Sequence, residues 1–242
     1  MKSSLLAADE DLVETHEGMS TLNEAYYKVL KDTPDKNFLG TRAEITKEDG
    51  TKGYGEYIWK TRNDVHHIIN SIAKYMYKNQ LVPLNKYEGE GEFQMVGIYS
   101  RTREEWAIAD LVCILSNYVT VALYDTLGEE ATEFIVDQCK LGVIFCMADK
   151  IHKLVALKQK GKIASLKTII YFDNLPEGTD CGDIKVISYN DAITEGAAIP
   201  EGDAPYGKER PITADTLQTV GYTSGTTGMP KGVKLSHRCF MA

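Results

Sequence analysis

Apolar positions along the chain change period several times, and each change marks an element. Leu22, Ala25, Tyr26, Val29 and Leu30 recur at helical spacing behind Thr21 and Glu24, a Thr-x-x-Glu pair that caps a helix start through reciprocal side-chain bonds. Residues 38–45 and 54–59 read as two strands joined by the polar, glycine-containing stretch 46–53, which predicts an N-terminal hairpin. Helical spacing returns at Val65, Ile68, Ile69, Ile72, Ala73 and Met76; His66 and His67 sit beside this stripe and read as half-exposed helix residues rather than ligands. Residues 85–92 are polar and carry glycine, which predicts a loop.

From residue 95 a rhythm sets in. Strands are predicted over 95–99, 119–123, 143–147 and 168–172, with helices over 102–115, 129–140 and 151–159 between them. Thr102 and Glu105 repeat the capping pattern at the first of these helices. Strict alternation of short apolar strands with helices is the signature of parallel βαβ layers with helices on both faces, so the predicted class is α/β. Residues 174–210 change character, with Pro176, Pro200 and Pro205 among Gly, Asp and Glu; a short strand (184–187) and a short helix (190–195) interrupt them. The chain therefore divides into N-terminal helices and a hairpin (1–93), a βαβ unit (94–173), a connection (174–210) and a last segment (211–242).

Composition narrows the function classes. With 242 residues and a net charge of −8, the chain can bury a sizeable core but is poorly suited to DNA or RNA, whose binding runs on Lys and Arg neutralising phosphates. Five cysteines, none spaced Cys-x-x-Cys, read as reduced and mostly buried thiols, and the five histidines show no zinc-ligand spacing with them. Residues 1–6 are too short, and 7–17 too acidic, for a secretory signal. The most apolar stretch, 106–123, is broken by Asp110, Ser116 and Asn117, so no membrane span is expected.

The chemistry concentrates near the C-terminal end. A strand predicted over 218–222 runs into Thr223-Ser224-Gly225-Thr226-Thr227-Gly228-Met229-Pro230-Lys231-Gly232-Val233. Glycines let a backbone bring its N–H groups close to a ligand; Thr223, Ser224, Thr226 and Thr227 add hydroxyl donors; Lys231 adds a positive charge on a segment stiffened by Pro230. Together these parts make a phosphate cradle. It is not a Walker A loop, because Met229 and Pro230 separate Gly228 from the lysine and Gly232 stands where a metal-binding hydroxyl is required. A flexible linker would need no proline–lysine pair and seldom follows a strand so directly.

The run Tyr222 to Val233 closely resembles the phosphate loop of the adenylate-forming superfamily, which contains acyl-CoA synthetases, luciferases and peptide-synthetase adenylation domains. Ser236-His237 is similar to that family's Ser/Thr-His pair, and Arg210-Pro211 with Asp215-Thr216-Leu217 resembles the approach to the loop in long-chain members. Val96 to Ser100, Glu105-Trp106 and Leu123-Tyr124-Asp125-Thr126-Leu127-Gly128 narrow the resemblance to long-chain fatty-acid–CoA ligases. As structure, Tyr124 to Gly128 reads as a strand-to-helix turn with Asp125 or Thr126 as cap.

The resemblance implies part of a large N-terminal AMP-binding domain without its C-terminal domain. It also implies that ATP and a fatty acid form an acyl-adenylate, and that coenzyme A then takes the acyl group. Thr223, Ser224, Gly225, Thr226, Thr227, Gly228 and Lys231 would hold the β- and γ-phosphates. His237 would lie near the adenylate or the acyl entrance, or serve only as a satisfied helix-start residue. The glutamate that binds Mg²⁺ and the adenine and ribose contacts would lie downstream, so no metal ligand is assigned and the chain alone is expected to be inactive. An intracellular location follows from the same resemblance, on the cytosolic face of the endoplasmic reticulum, peroxisomes or mitochondria with peripheral membrane association. A synthetase for a different carboxylic acid, and a truncated non-catalytic member of the family, are the alternative readings.

Overall fold

The computed structural model describes residues 15–223 and 229–242. Helix α1 (Leu22–Asp32) begins at the expected capping box: the Thr21 hydroxyl accepts from the Glu24 amide and the Glu24 carboxylate from the Thr21 amide. Strands β1 (Asn37–Thr46) and β2 (Lys52–Thr61) form an antiparallel sheet of their own. Helix α2 (Arg62–Lys78) follows directly, opened by a second capping box, Thr61 with Asp64.

Strand β3 (Leu84–Tyr87) pairs antiparallel with the first half of β4 (Gly91–Tyr99), where a loop was expected over 85–92. Gly89 at φ +72° and Gly91 at φ +116° make the turn between them. Polar side chains hide this strand from the hydropathy pattern; Tyr87 is what anchors it, packing on Phe93 and donating its hydroxyl to the Cys139 carbonyl.

The rest of the chain alternates as expected through α3 (Glu104–Ser116), β5 (Val119–Leu123), α4 (Glu129–Gln138), β6 (Val143–Cys146), α5 (Ile151–Gln159), β7 (Thr168–Tyr171), β8 (Lys185–Ser188), α6 (Tyr189–Ala197) and β9 (Leu217–Thr223), and then adds two elements the sequence did not predict, β10 (Lys231–Ser236) and α7 (His237–Met241). The sheet order is β10-β9-β5-β4-β6-β7-β8, with β3 beside β4. Strands β4 to β9 pair in parallel, while β10 runs antiparallel to β9.

Both faces of the parallel strands are buried. Val96, Ile98, Val143, Phe145 and Ile170 pack with α2, α3 and α6 on one face; Met95, Tyr99, Ile144, Cys146 and Ile169 pack with α4 and α5 on the other. This two-sided burial is why the strands read as nearly continuous apolar runs. Gly97 sits between the layers, where an added Cβ would stand 2.9 Å from Ile144 and 3.0 Å from Leu141.

Two expected caps are not formed. The N-cap of α3 is Arg103, whose side chain has no acceptor with which to cap; its guanidinium instead donates to the Glu105 carboxylate at 2.6 Å, taking the acid of the expected Thr102–Glu105 box, and to Asp173 at 2.7 Å. Helix α4 starts at Gly128 with no side-chain cap; Asp125 instead pairs with Lys150 at 2.5 Å. The turn between β5 and α4 is held by Lys153, which donates to the Leu127 carbonyl at 2.6 Å and to the Tyr99 hydroxyl at 2.8 Å.

Candidate phosphate-binding site

Strand β9 is inserted beside β5, where Thr219, Val220 and Gly221 pair with Thr120, Val121 and Ala122. Alternate residues Gln218, Val220 and Tyr222 are buried, so the strand is fixed from below while its end, Thr223, is exposed. The Tyr222 hydroxyl donates to Gln138 at 2.6 Å and lies 3.1 Å from the Cys139 sulfur, tying the strand to the end of α4. Burial pushes the Tyr222 phenol up and the Cys139 thiol up to about 11, so both stay neutral and act as anchors.

The chain returns along β10, in register so that Lys231 faces Thr223 and Gly232 faces Tyr222. Gly232 therefore lies in a strand, outside the turn in which the hydroxyl- and glycine-rich pattern places it. Its missing Cβ has a local use: one would stand 3.0 Å from Val220 and 3.2 Å from the Tyr222 ring, so glycine lets β10 close over both. The Thr223 hydroxyl donates to the Lys231 carbonyl at 3.5 Å, and both residues are exposed. Among the described residues no carboxylate stands within ion-pair distance of the Lys231 ammonium. Ser224, Gly225, Thr226, Thr227 and Gly228 lie outside the described residues.

Because β9 is parallel to β4, β5 and β6, Thr223 and Lys231 lie at the carboxyl end of the parallel strands, the side on which open α/β sheets bind ligands. Two donor-bearing residues thus pair across β9 and β10 at the ligand-binding edge, the Thr223 hydroxyl and the exposed Lys231 side chain, whose ammonium meets no carboxylate among the described residues. That arrangement suits an anionic group.

His237 is not brought to this point. It follows the other end of β10, about 17 Å away along a six-residue strand. Its ring is 2 % exposed, and Nδ1 accepts the Leu22 backbone N–H at 3.1 Å, satisfying an orphan donor at the start of α1. Burial holds its pKa below the ordinary histidine value. Neither this bond nor the Tyr222 anchor is visible in the sequence, since each joins residues far apart along the chain.

The sequence profile of the AMP-binding enzyme family matches residues 30–242. The chain belongs to the AMP-binding enzyme family. It is 32% identical to the peroxisomal long chain acyl-CoA synthetase 6 of Arabidopsis thaliana, over 94% of this chain and 30% of that protein. With the long-chain-fatty-acid–CoA ligase 1 of Cavia porcellus it shares 31% identity over 98% of its own length and 32% of the relative's. Among solved structures, the adenylation domain of a carboxylate reductase from Mycobacterium chelonae superposes with a TM-score of 0.71 at 22% identity, covering 93% of this chain and 35% of that one. The expected α/β class of an AMP-binding family member is therefore the observed one. This AMP-binding chain spans about 30% of the length of these curated relatives. No helix among the described residues is long and apolar enough to cross a membrane, and no group of three or more His, Cys, Asp or Glu side chains there could hold a metal ion.

Proposed function

We propose that this AMP-binding chain carries the ATP-phosphate loop of a long-chain fatty-acid–CoA ligase. In the whole protein, a fatty-acid carboxylate and ATP give an acyl-adenylate and pyrophosphate, and coenzyme A then displaces AMP. The observation that carries the reading is the pairing of Thr223 with Lys231 across β9 and β10, at the carboxyl edge of the sheet and at the two ends of the hydroxyl- and glycine-rich stretch. ATP brings several negative charges into the site, and a carboxylate must approach it; donors fixed before the reaction lower that repulsion without reorganising. Thr223 and Lys231, with Ser224 to Gly228 between them, take the β- and γ-phosphates in this reading. Mg²⁺, which neutralises phosphate charge when bound, finds no cluster of acidic ligands among the described residues, so no metal ligand is assigned to this chain.

The long-chain assignment is supported by relatives of that class at about one-third identity and by the Tyr124 to Gly128 run. The buried His237 bonded to Leu22 favours the helix-start role over a place beside the adenylate. Fatty-acid-dependent ATP–pyrophosphate exchange by the protein at the relatives' full length tests the phosphate role. Lys231→Ala is expected to lower exchange by about tenfold or more; unchanged exchange sinks the assignment. A panel of acids of increasing chain length tests the substrate class, and a preference for short or aromatic acids overturns it. The 242-residue chain by itself is expected to form no thioester from ATP, oleate and coenzyme A.

A further inference from the structure

Strand β9 outruns the strand that supports it. Its pairing with β5 covers Thr219 to Gly221; beyond that point, among the described residues, Tyr222 and Thr223 pair with Gly232 and Lys231 of β10 alone. The end of the hairpin that carries Thr223 and Lys231 therefore overhangs the sheet. Ladder bonds hold its two strands to each other, not to the body of the molecule. Among the described residues, one side chain of the overhang makes hydrogen bonds outside the hairpin: Tyr222, which donates to Gln138 at 2.6 Å and lies 3.1 Å from the Cys139 sulfur. The Thr223 hydroxyl bonds only across the hairpin, to the Lys231 carbonyl.

The same ring touches both strands of the overhang. It belongs to β9, and it lies against β10: a Cβ at Gly232 would stand 3.2 Å from Cζ, the ring carbon that bears the hydroxyl. The ring also borders a cavity of about 430 Å³, shared with Tyr87, Met95 and Val220. Where it faces that hollow, packing cannot hold it, because a void offers no partner atoms. The hydroxyl bond takes over that task. Its acceptor is firmly seated: Gln138 is the last residue of α4, and the carbonyl of the next residue, Cys139, receives the Tyr87 hydroxyl at 2.6 Å. Gln138 itself is exposed, so its side chain can be changed without disturbing the core.

We infer that Tyr222 and Gln138 are positioning residues: their hydrogen bond sets where Thr223 and Lys231 stand, and through them the affinity for the ATP phosphates. The inference rests on the ligase reading and adds to it a determinant on α4, outside the hydroxyl- and glycine-rich run. Donors held in place before the nucleotide arrives need not be gathered when it binds.

The test measures KM for ATP and for oleate in ATP–pyrophosphate exchange, with the thermal midpoint, in the protein at the relatives' full length. Tyr222→Phe keeps the ring and removes the donor; Gln138→Leu removes the acceptor. Each is expected to raise the ATP KM about fivefold, the worth of one neutral hydrogen bond, and to leave the oleate KM unchanged. The double variant is expected to be no worse than either single one, because both break the same bond. Gln138→Glu retains an acceptor and is expected to restore the ATP KM to near its unaltered value. An ATP KM untouched by Tyr222→Phe overturns the inference. So does a double variant whose effect is the product of the two single ones. An oleate KM that rises in step with the ATP KM as the thermal midpoint falls overturns it as well, since that pattern marks general loosening. Exchange lowered by Lys231→Ala with these variants silent strikes only this inference; exchange indifferent to Lys231→Ala strikes the ligase reading. Amide hydrogen exchange without nucleotide tests the bond apart from activity: both single variants are expected to quicken exchange at Thr223 and Lys231, and unchanged rates overturn the positioning role.

Discussion

His237 shows how much one side chain can tie together. Its Nδ1 must be unprotonated to accept the Leu22 N–H, and burial depresses its pKa. For a base held neutral in the fold, the unfolded chain takes the proton first as pH falls below about 6.5. The stabilisation is therefore complete above that value and is lost progressively below it, down to the folded pKa. Urea unfolding at pH 7.5 and 5.5 should show a smaller loss of stability in His237→Gln than in the unaltered chain; equal losses would mean that the imidazole is not the acceptor. His66 is depressed as well, by burial and then by His67, so His66→Gln serves as the control for a second histidine. Gly97 makes a different residue-scale point. With Ile144, Leu141 and Leu123 all within 3.2 Å of a Cβ at that position, Gly97→Ala should cost about 2 kcal/mol through overpacking, read as a lowered thermal midpoint.

Among the elements, the contact of α2 with α6 is the tightest. Gly196 of α6 lies on the backbone of α2, where an added Cβ would meet the Ser71 carbonyl oxygen. No flexible side-chain end is available to give way, so one helix must move. Gly196→Ala is expected to destabilise by about 3 kcal/mol, while Gly202→Ala, with open space around it, should leave the thermal midpoint nearly unchanged. The helices and parallel strands were legible in the sequence because buried apolar residues impose their period on it. Strands β3 and β10 were not: Lys86, Lys231 and Lys234 are exposed, and nothing apolar marks the inner side strongly enough. The caps of α3 and α4 misled for another reason. Thr102 and Asp125 are good cap residues locally, but Arg103 captures Glu105 and Lys150 captures Asp125, and those choices are made by tertiary neighbours.

At the scale of the whole molecule, residues 174–210 are more firmly built in than their proline-, glycine- and acid-rich composition suggests. They supply β8 to the sheet and α6 to its helical cover. The buried Lys74 of α2 donates to the Ile199 carbonyl at 2.7 Å, and Tyr206 donates to Asn70 at 2.6 Å. Half of the candidate site was legible in the same way. The hydroxyl- and glycine-rich run marks the proposed phosphate-binding segment by composition alone, and alternation marks the strand before it. What the sequence could not disclose is which strand β9 joins, since parallel pairing with β5 links residues about a hundred positions apart.

That distant pairing has a consequence for how the chain is made. Strands β4 to β8 are synthesised before β9, so the flank of β5 waits bare, offering its unpaired amides to any extended peptide nearby. The strand that leads into the proposed phosphate loop is therefore also the cover that ends this vulnerable interval, and a ribosome stalled just ahead of Leu217 would leave a sticky intermediate behind.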